Sequence, residues 1–345
     1  MSKVPPVSRR HVVVGGSAAL TSIGFPNIVR AQTREIFIGG PASPGLTDGL
    51  FPLIEKKLNV KVLFEGTNSL INLEKLRSNK DRPTMTLTMM DDPVLILAER
   101  EKLIKKLPAN VTNLADLPAA AKPKDGMWAN WCQPMCSFSY NTKAVPKGLE
   151  SYADAWDPKY KERIIIISMR ITQAIAPLLA ATNFITKKPL DQCMVDWQQG
   201  IERMKQLKSN IIQISTNAPQ AQQLHESGEC DIYFSPDSRT TLLRKAVGAP
   251  VDQGMPKEGV LAMPAGVALV EGGPNQDLGM AFINEMLSPE IQAYIGKAFH
   301  SRPTNTKTVL PDGVKFPNLI ALDWEYFADN RNAMIERFER EVAAK

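Results

Sequence analysis

Histidine is scarce in this sequence, with three among 345 residues. His11 sits near the N-terminus, and His225 and His300 lie far apart, in no ligand-type spacing such as H-E-x-x-H. The residue most used as a general base is therefore hard to place, and a serine or cysteine nucleophile needs such a base. No Gly-x-Ser-x-Gly elbow, Walker loop or dinucleotide glycine pattern occurs. His225 reads as a residue on a polar helix face and His300 as a loop residue, both at the surface. These absences argue against a hydrolase or a cofactor enzyme, and no cofactor is implied. Cysteine is also sparse: Cys132, Cys136, Cys193 and Cys230 allow at most two disulfides in an oxidising compartment. An extended 132–136 segment would separate its ends by roughly 13 Å, beyond direct bridging. Buried free thiols are the simpler reading. Long apolar runs are missing too, since Val12–Ile23 is interrupted by Gly15 and Gly16 and a membrane-crossing helix needs about 20 apolar residues.

That short run has a context. Arg9 and Arg10 precede it, Pro26 ends it, and Val29-Arg30-Ala31 follows the small-x-small pattern of a signal-peptidase site. Residues 1–31 read as a twin-arginine export signal cleaved after Ala31, which implies the twin-arginine translocase as a partner during export and a periplasmic address. The first cysteine is Cys132, so no lipid anchor is expected at the cleavage site. Of the formal charge of +5, four units belong to this segment. Without Lys3, Arg9, Arg10 and Arg30, 37 basic residues face 36 acidic ones, a balance with no electrostatic reason to bind nucleic acid.

The rest alternates strand and helix patterns. Strands are expected at 34–38, 59–64 and 84–89, with helices at 46–58 and 69–79 and another opening at Asp91-Asp92-Pro93. A second run of the same kind begins with Ile164–Ile167, four isoleucines in a row, which suits a strand buried on both faces. Helices near 171–184 and 190–207, a strand at 210–215, a helix at 217–226 and a strand at 231–235 follow. Strands separated by helices of this length argue for parallel α/β sheets in two blocks.

Several segments, in this order and spacing, resemble the extracellular solute-binding proteins of ABC importers, type II, of the spermidine/putrescine-like family. They are Ser139–Val145, Ser151–Lys161, Ser227–Asp231, Gly248–Val251, Pro256–Gly259 and Ala281–Glu290. The resemblance implies an α/β fold of two lobes, each a mostly parallel sheet flanked by helices, joined by two hinge strands near Met135–Tyr140 and Leu261–Val270. Lobe one would cover 32–136 and 266–305, and lobe two 137–265 and 306–345. It also implies a monomer that hands a small-molecule ligand to an ABC permease in the inner membrane. A soluble receptor for a membrane sensor, or a twin-arginine-exported enzyme, remains as an alternative class.

In open α/β sheets ligands sit at the carboxyl ends of strands. That rule selects Gly40, Ala42 and Ser43 after the first strand, as backbone donors to an anion or as an ordinary loop. It selects Asp91 and Asp92, of which one would cap a helix and the other face the cleft. In the second block it selects Arg170, a fork for an anionic oxygen or a surface ion pair, with Thr172. Tyr233, Ser235, Asp237 and Arg239 follow another strand, where a Tyr-Ser-Pro-Asp turn could equally cap the next helix. Trp131 and Tyr140 would supply an aromatic wall or core packing. Met263 falls in Ala262-Met263-Pro264-Ala265, where the polyamine binders of the family place an aromatic residue and an acid. With those partners missing, a polyamine is disfavoured, and the lack of a Tyr-Tyr pair disfavours ferric ion. Arg170 and Arg239 favour an anionic or zwitterionic solute.

Overall fold

The structure is a computed structural model that describes residues 34–43 and 45–344. The export segment and its cleavage point lie outside the described residues. The first block holds β1 (Glu35–Pro41), β2 (Lys61–Thr67), β3 (Leu87–Asp91) and β4 (Ile104–Lys105). A long strand, β5 (Ala129–Asn141), leads to β6 (Ile164–Ile167), β7 (Ile211–Ser215), β8 (Ile232–Asp237) and β9 (Val251–Gln253). The chain returns through β10 (Val260–Ala262) and β11 (Ala265–Val270), and β12 (Ser301–Arg302) and β13 (Leu319–Ile320) are short additions.

The main strand order is β2-β1-β3-β11-β5-β8-β6-β7. β1 runs parallel to β2 and β3, and β6 runs parallel to β7 and β8. Parallel pairs need long crossovers, and the helices Phe51–Leu58, Ser69–Ser78, Ile175–Thr186, Trp197–Leu207 and Ala218–Ser227 supply them. Pro189 precedes a 3-10 stretch, Leu190–Asp196, so the helix expected over 190–207 is regular only from Trp197. The isoleucine strand is buried throughout.

β5 belongs to both halves. Ala129, Asn130 and Cys132 pair with β11, whereas Cys136 and residues 138–140 pair with β8. The handover falls around Pro134, which has no amide hydrogen to give a ladder; its carbonyl accepts from Met263 N–H at 3.0 Å. On one side of the handover, Phe138 sits edge-on to Tyr152 and Phe234, at 5.6 and 6.0 Å. On the other, Phe51 contacts Phe64 and Phe282, and Trp131 meets Phe299 at 5.9 Å.

All four cysteines are free and buried. Burial pushes the Cys132 and Cys230 thiols up to about 12, which leaves them inert. His225 departs from expectation. The helix Ala218–Ser227 turns it against β5, fully buried, with Ser139 Oγ 2.9 Å from Nε2 and Cys230 Sγ 3.4 Å from Nδ1. Burial lowers it to about 4. It is a core histidine held neutral.

The last long helix, Trp324–Phe338, touches both halves. Arg100, from the helix after β3, donates to Glu325 at 2.7 Å and Asp329 at 2.6 Å. Arg331 of the same helix donates to the Arg170 carbonyl at 2.8 Å. The C-terminal segment, expected with the second lobe, thus makes contacts with both blocks.

Candidate ligand site at the strand ends

β3 ends at Asp91, whose backbone occupies the cap position of the helix Asp92–Arg100 while its carboxylate makes no cap hydrogen bond. It accepts instead from Ser69 Oγ at 3.1 Å, and Ser69 Oγ accepts from the Asp91 N–H at the same distance. Ser69 opens the helix that follows β2, so the ends of β2 and β3, which flank β1, are tied together here. Burial raises the Asp91 pKa, while the Thr172 hydroxyl and the charges of Arg239 and Arg331 favour its ionised form. Asp92 points the other way, into the first block. It accepts from Trp128 Nε1 at 2.9 Å and Asn130 Nδ2 at 3.0 Å, and burial pushes it up to about 7.

The second block brings its strand ends to the same place. Thr172, buried just after β6, lies 3.4 Å from Arg331 Nη1. Arg331 is 3 % exposed, its Nε has no hydrogen-bond partner, and burial draws its pKa down to about 10. Asp237 ends β8 and caps the next helix, accepting from Thr240 N–H at 3.3 Å. It also pairs with Arg239 Nη2 at 2.6 Å, both side chains being largely buried. Burial opposes the Arg239 charge, yet the carboxylates of Asp237 and Asp91 hold its pKa above the ordinary value. Its guanidinium stands 6.0 Å from the Trp131 ring centroid. Ser238 Oγ donates to the His300 carbonyl and accepts from Met135 N–H, fixing this helix start to β5.

Of the residues selected from sequence, the structure thus gathers Asp91, Thr172, Asp237, Arg239 and Trp131. Trp131 contributes as core, fully buried, with its Nε1 unpartnered. Ser235 lies in β8, two residues before Asp237. Others are elsewhere, for physical reasons. Tyr140 is at the far end of β5, where its ring lies against Gly148 and opposite Asp252. Tyr233 is buried beside the His225 ring. Met263 is buried in the core. A Cβ on Gly40 would meet the Phe64 ring at 3.0 Å and Met89 Cβ at 3.1 Å, so this glycine serves close packing. The Ala42 N–H is already engaged by the Thr67 carbonyl, and the Ser43 carbonyl accepts from Leu46 N–H. No free backbone cradle forms from Ala42.

Arg170 takes the second of its two readings, a surface ion pair. Its guanidinium is bidentate to Glu339 at 2.8 and 3.0 Å, with the side chain 59 % exposed. Exposed pairs of this kind contribute about 0–1 kcal/mol. Arg170→Ala is therefore expected to leave solute affinity within about twofold and stability within about 1 kcal/mol of the unchanged protein, by calorimetry and urea unfolding. A tenfold loss of affinity would return Arg170 to the site. The guanidinium beside Thr172 is instead that of Arg331, some 160 residues later. One signal existed: Phe327, Arg331, Met334 and Phe338 share one helical stripe, and a cation on an apolar stripe has a partner or a task. Ser69 had no such signal.

Asp92 and His225 have opposed effects on pH-dependent stability. Between about pH 4 and 6.5 the unfolded chain carries a proton on His225 that the native protein lacks, so this residue makes stability rise with pH. Between about pH 4 and 7 the native protein carries a proton on Asp92 that the unfolded chain has lost, so stability falls. Each slope reaches about 1.4 kcal/mol per pH unit. Asp92→Asn should therefore show stability climbing more steeply from pH 4.5 to 6.5 than the unchanged protein, by about one proton's slope. Urea midpoints across that range measure it, and parallel curves would refute the Asp92 assignment.

Among the described residues no helix is long and apolar enough to cross a membrane, and no group of three His, Cys, Asp or Glu side chains is placed to hold a metal. Comparison with known proteins points one way. Residues 54–321 match the family described as bacterial extracellular solute-binding protein. Iron uptake protein A1 of Synechocystis sp. is 24% identical over 86% of this chain and 84% of its own length. The spermidine/putrescine-binding periplasmic protein of Escherichia coli is 21% identical over 97% of this chain and 98% of its own. Among solved structures, the periplasmic binding protein AfuA of Actinobacillus pleuropneumoniae, with fructose-6-phosphate bound, superposes with a TM-score of 0.77. It is 21% identical and covers 91% of this chain and 100% of AfuA.

Proposed function

Because this chain belongs to the bacterial extracellular solute-binding proteins, we propose that it captures a small polar organic solute bearing an anionic group, between strand ends that converge on Asp91, Thr172 and Arg239. The chain is the solute-binding component of an ABC transporter rather than an enzyme. The observation that carries the ligand reading is Arg239. It is a buried guanidinium at the end of β8, with Asp237 engaging one face of a five-donor fork. Such a fork suits a carboxylate, phosphate or phosphonate. The E. coli relative is named for polyamines and AfuA was solved with a sugar phosphate; a dication placed here would meet two arginines. We assign the lobes to 32–136 with 266–305 and to 137–265 with 306–345, the helix Trp324–Phe338 bridging them. The whole works as a monomer that closes on its solute and presents it to a permease.

A thermal-shift panel of amino acids, carboxylates, phosphonates, sugar phosphates and polyamines tests this. Saturation at 100 times Kd adds about 2.7 kcal/mol, a shift of several degrees for a chain of this size. A panel in which only polyamines shift the protein would overturn the anion reading. For export, we read residues 1–31 as the twin-arginine signal. Replacing Arg9 and Arg10 by lysine is expected to trap the protein in the cytosol, by fractionation and immunoblot. Unchanged periplasmic yield would reject that route.

A further inference from the structure

The inference rests on the strand-end site and specifies what the solute carries. We propose that the solute is a zwitterion, an organic molecule with one ammonium and one acid group, its ammonium held at Asp91 and its acid group at Arg331 and Arg239.

The site has two charges of each sign: Asp91 and Asp237, Arg239 and Arg331. One pair is closed, since Arg239 Nη2 lies 2.6 Å from Asp237. The other is open. No salt bridge among the described residues joins Asp91 to Arg331 or to Arg239, although each arginine bears electrostatically on the Asp91 carboxylate. Asp91 is held by Ser69 on the first block and meets the Thr172 hydroxyl of the second, and Arg331 is held by the Arg170 carbonyl and Thr172 on the second. The fold thus holds two opposite charges within electrostatic reach while each is hydrogen-bonded to neutral groups and not to the other. Buried charge without a partner is costly, and the Arg331 Nε has none. A solute with both signs completes both halves. A pure anion would set a second negative charge beside Asp91, and a diamine a second positive charge beside Arg331. Asp92 does not alter this count, because Trp128 and Asn130 engage it inside the first block.

The full-length protein, purified gently from the periplasm, is first examined by native mass spectrometry and its released solute identified. One amine and one acid group are expected. A solute with acid groups and no amine, or amines and no acid, overturns the inference while leaving strand-end capture standing. A protein that carries no solute and shifts with no member of the panel overturns both. Calorimetry then compares the identified solute with its deaminated analogue. In the unchanged protein the amine should confer at least a tenfold preference, and Asp91→Asn should reduce that preference to near unity. Arg331→Gln should weaken both compounds, by roughly 10–100-fold as expected for charge-assisted bonds. If Asp91→Asn weakened both compounds equally, Asp91 would be a structural residue and the assignment would fail.

Discussion

Arg239→Ala is expected to eliminate measurable solute capture and to destabilise the fold by about 3–5 kcal/mol, the range for breaking a buried pair from one side. Both effects have one origin. Removing the guanidinium withdraws the proposed anion fork and leaves Asp237, 7 % exposed, without its counter-ion. The raised Arg239 pKa reports the same coupling from the other partner. The double variant Arg239→Met with Asp237→Asn separates the two effects. It should recover most of the stability, since neither charge remains buried alone, and none of the binding. Urea midpoints and calorimetry read the two quantities independently. An Arg239→Ala protein that binds with unchanged affinity would remove the residue from the site. One that recovers binding in the double variant would show that Arg239 acts only through stability.

The second large effect is at Phe138, which is fully buried on β5 just past the handover between sheet partners. Its ring is edge-on to Tyr152 and Phe234, and Gly254 has no side chain because a Cβ there would stand 2.0 Å from Phe138 Cε2. Truncation to alanine removes the centre of that aromatic group. It should cost about 3–5 kcal/mol, as for buried Phe→Ala changes generally. Phe138→Leu keeps much of the volume and should cost less than half as much. A loss below about 1 kcal/mol for the alanine variant would mean that the surrounding rings close the gap, contrary to the packing described.

Much of the fold was visible in the sequence because period and composition are local properties. Ile164–Ile167 announced a doubly buried strand by itself, and Asp91-Asp92-Pro93 announced a strand-to-helix turn. The strand-end rule also selected Asp91, Thr172, Asp237 and Arg239, since Asp91 and Asp237 end β3 and β8 and the other two lie within five residues of a strand's end. What it could not supply was direction. Arg170 and Thr172 are two residues apart at one strand end, yet one turns to Glu339 at the surface and the other to Arg331 in the interior. Tyr140 and Trp131 share a strand, yet thirteen residues of β5 put them at opposite ends of it. His225 looked exposed because its helix is polar in composition, and only the packing of that helix against β5 buries it. Arg331 and Ser69 enter the site through tertiary contacts that no local pattern encodes.

The helix Trp324–Phe338 gives the tail of the polypeptide an unusual responsibility. It is fastened to Arg100 on one side and places Arg331 beside Thr172 on the other, and between Arg302 and Trp324 the chain forms no helix and just the two-residue β13. A protease cut within that stretch would leave every strand-end residue in place, yet release of the cut peptide would take the Arg331 guanidinium with it. Limited digestion should accordingly be slowed by solute and, once it occurs, should silence uptake before the remaining core is degraded.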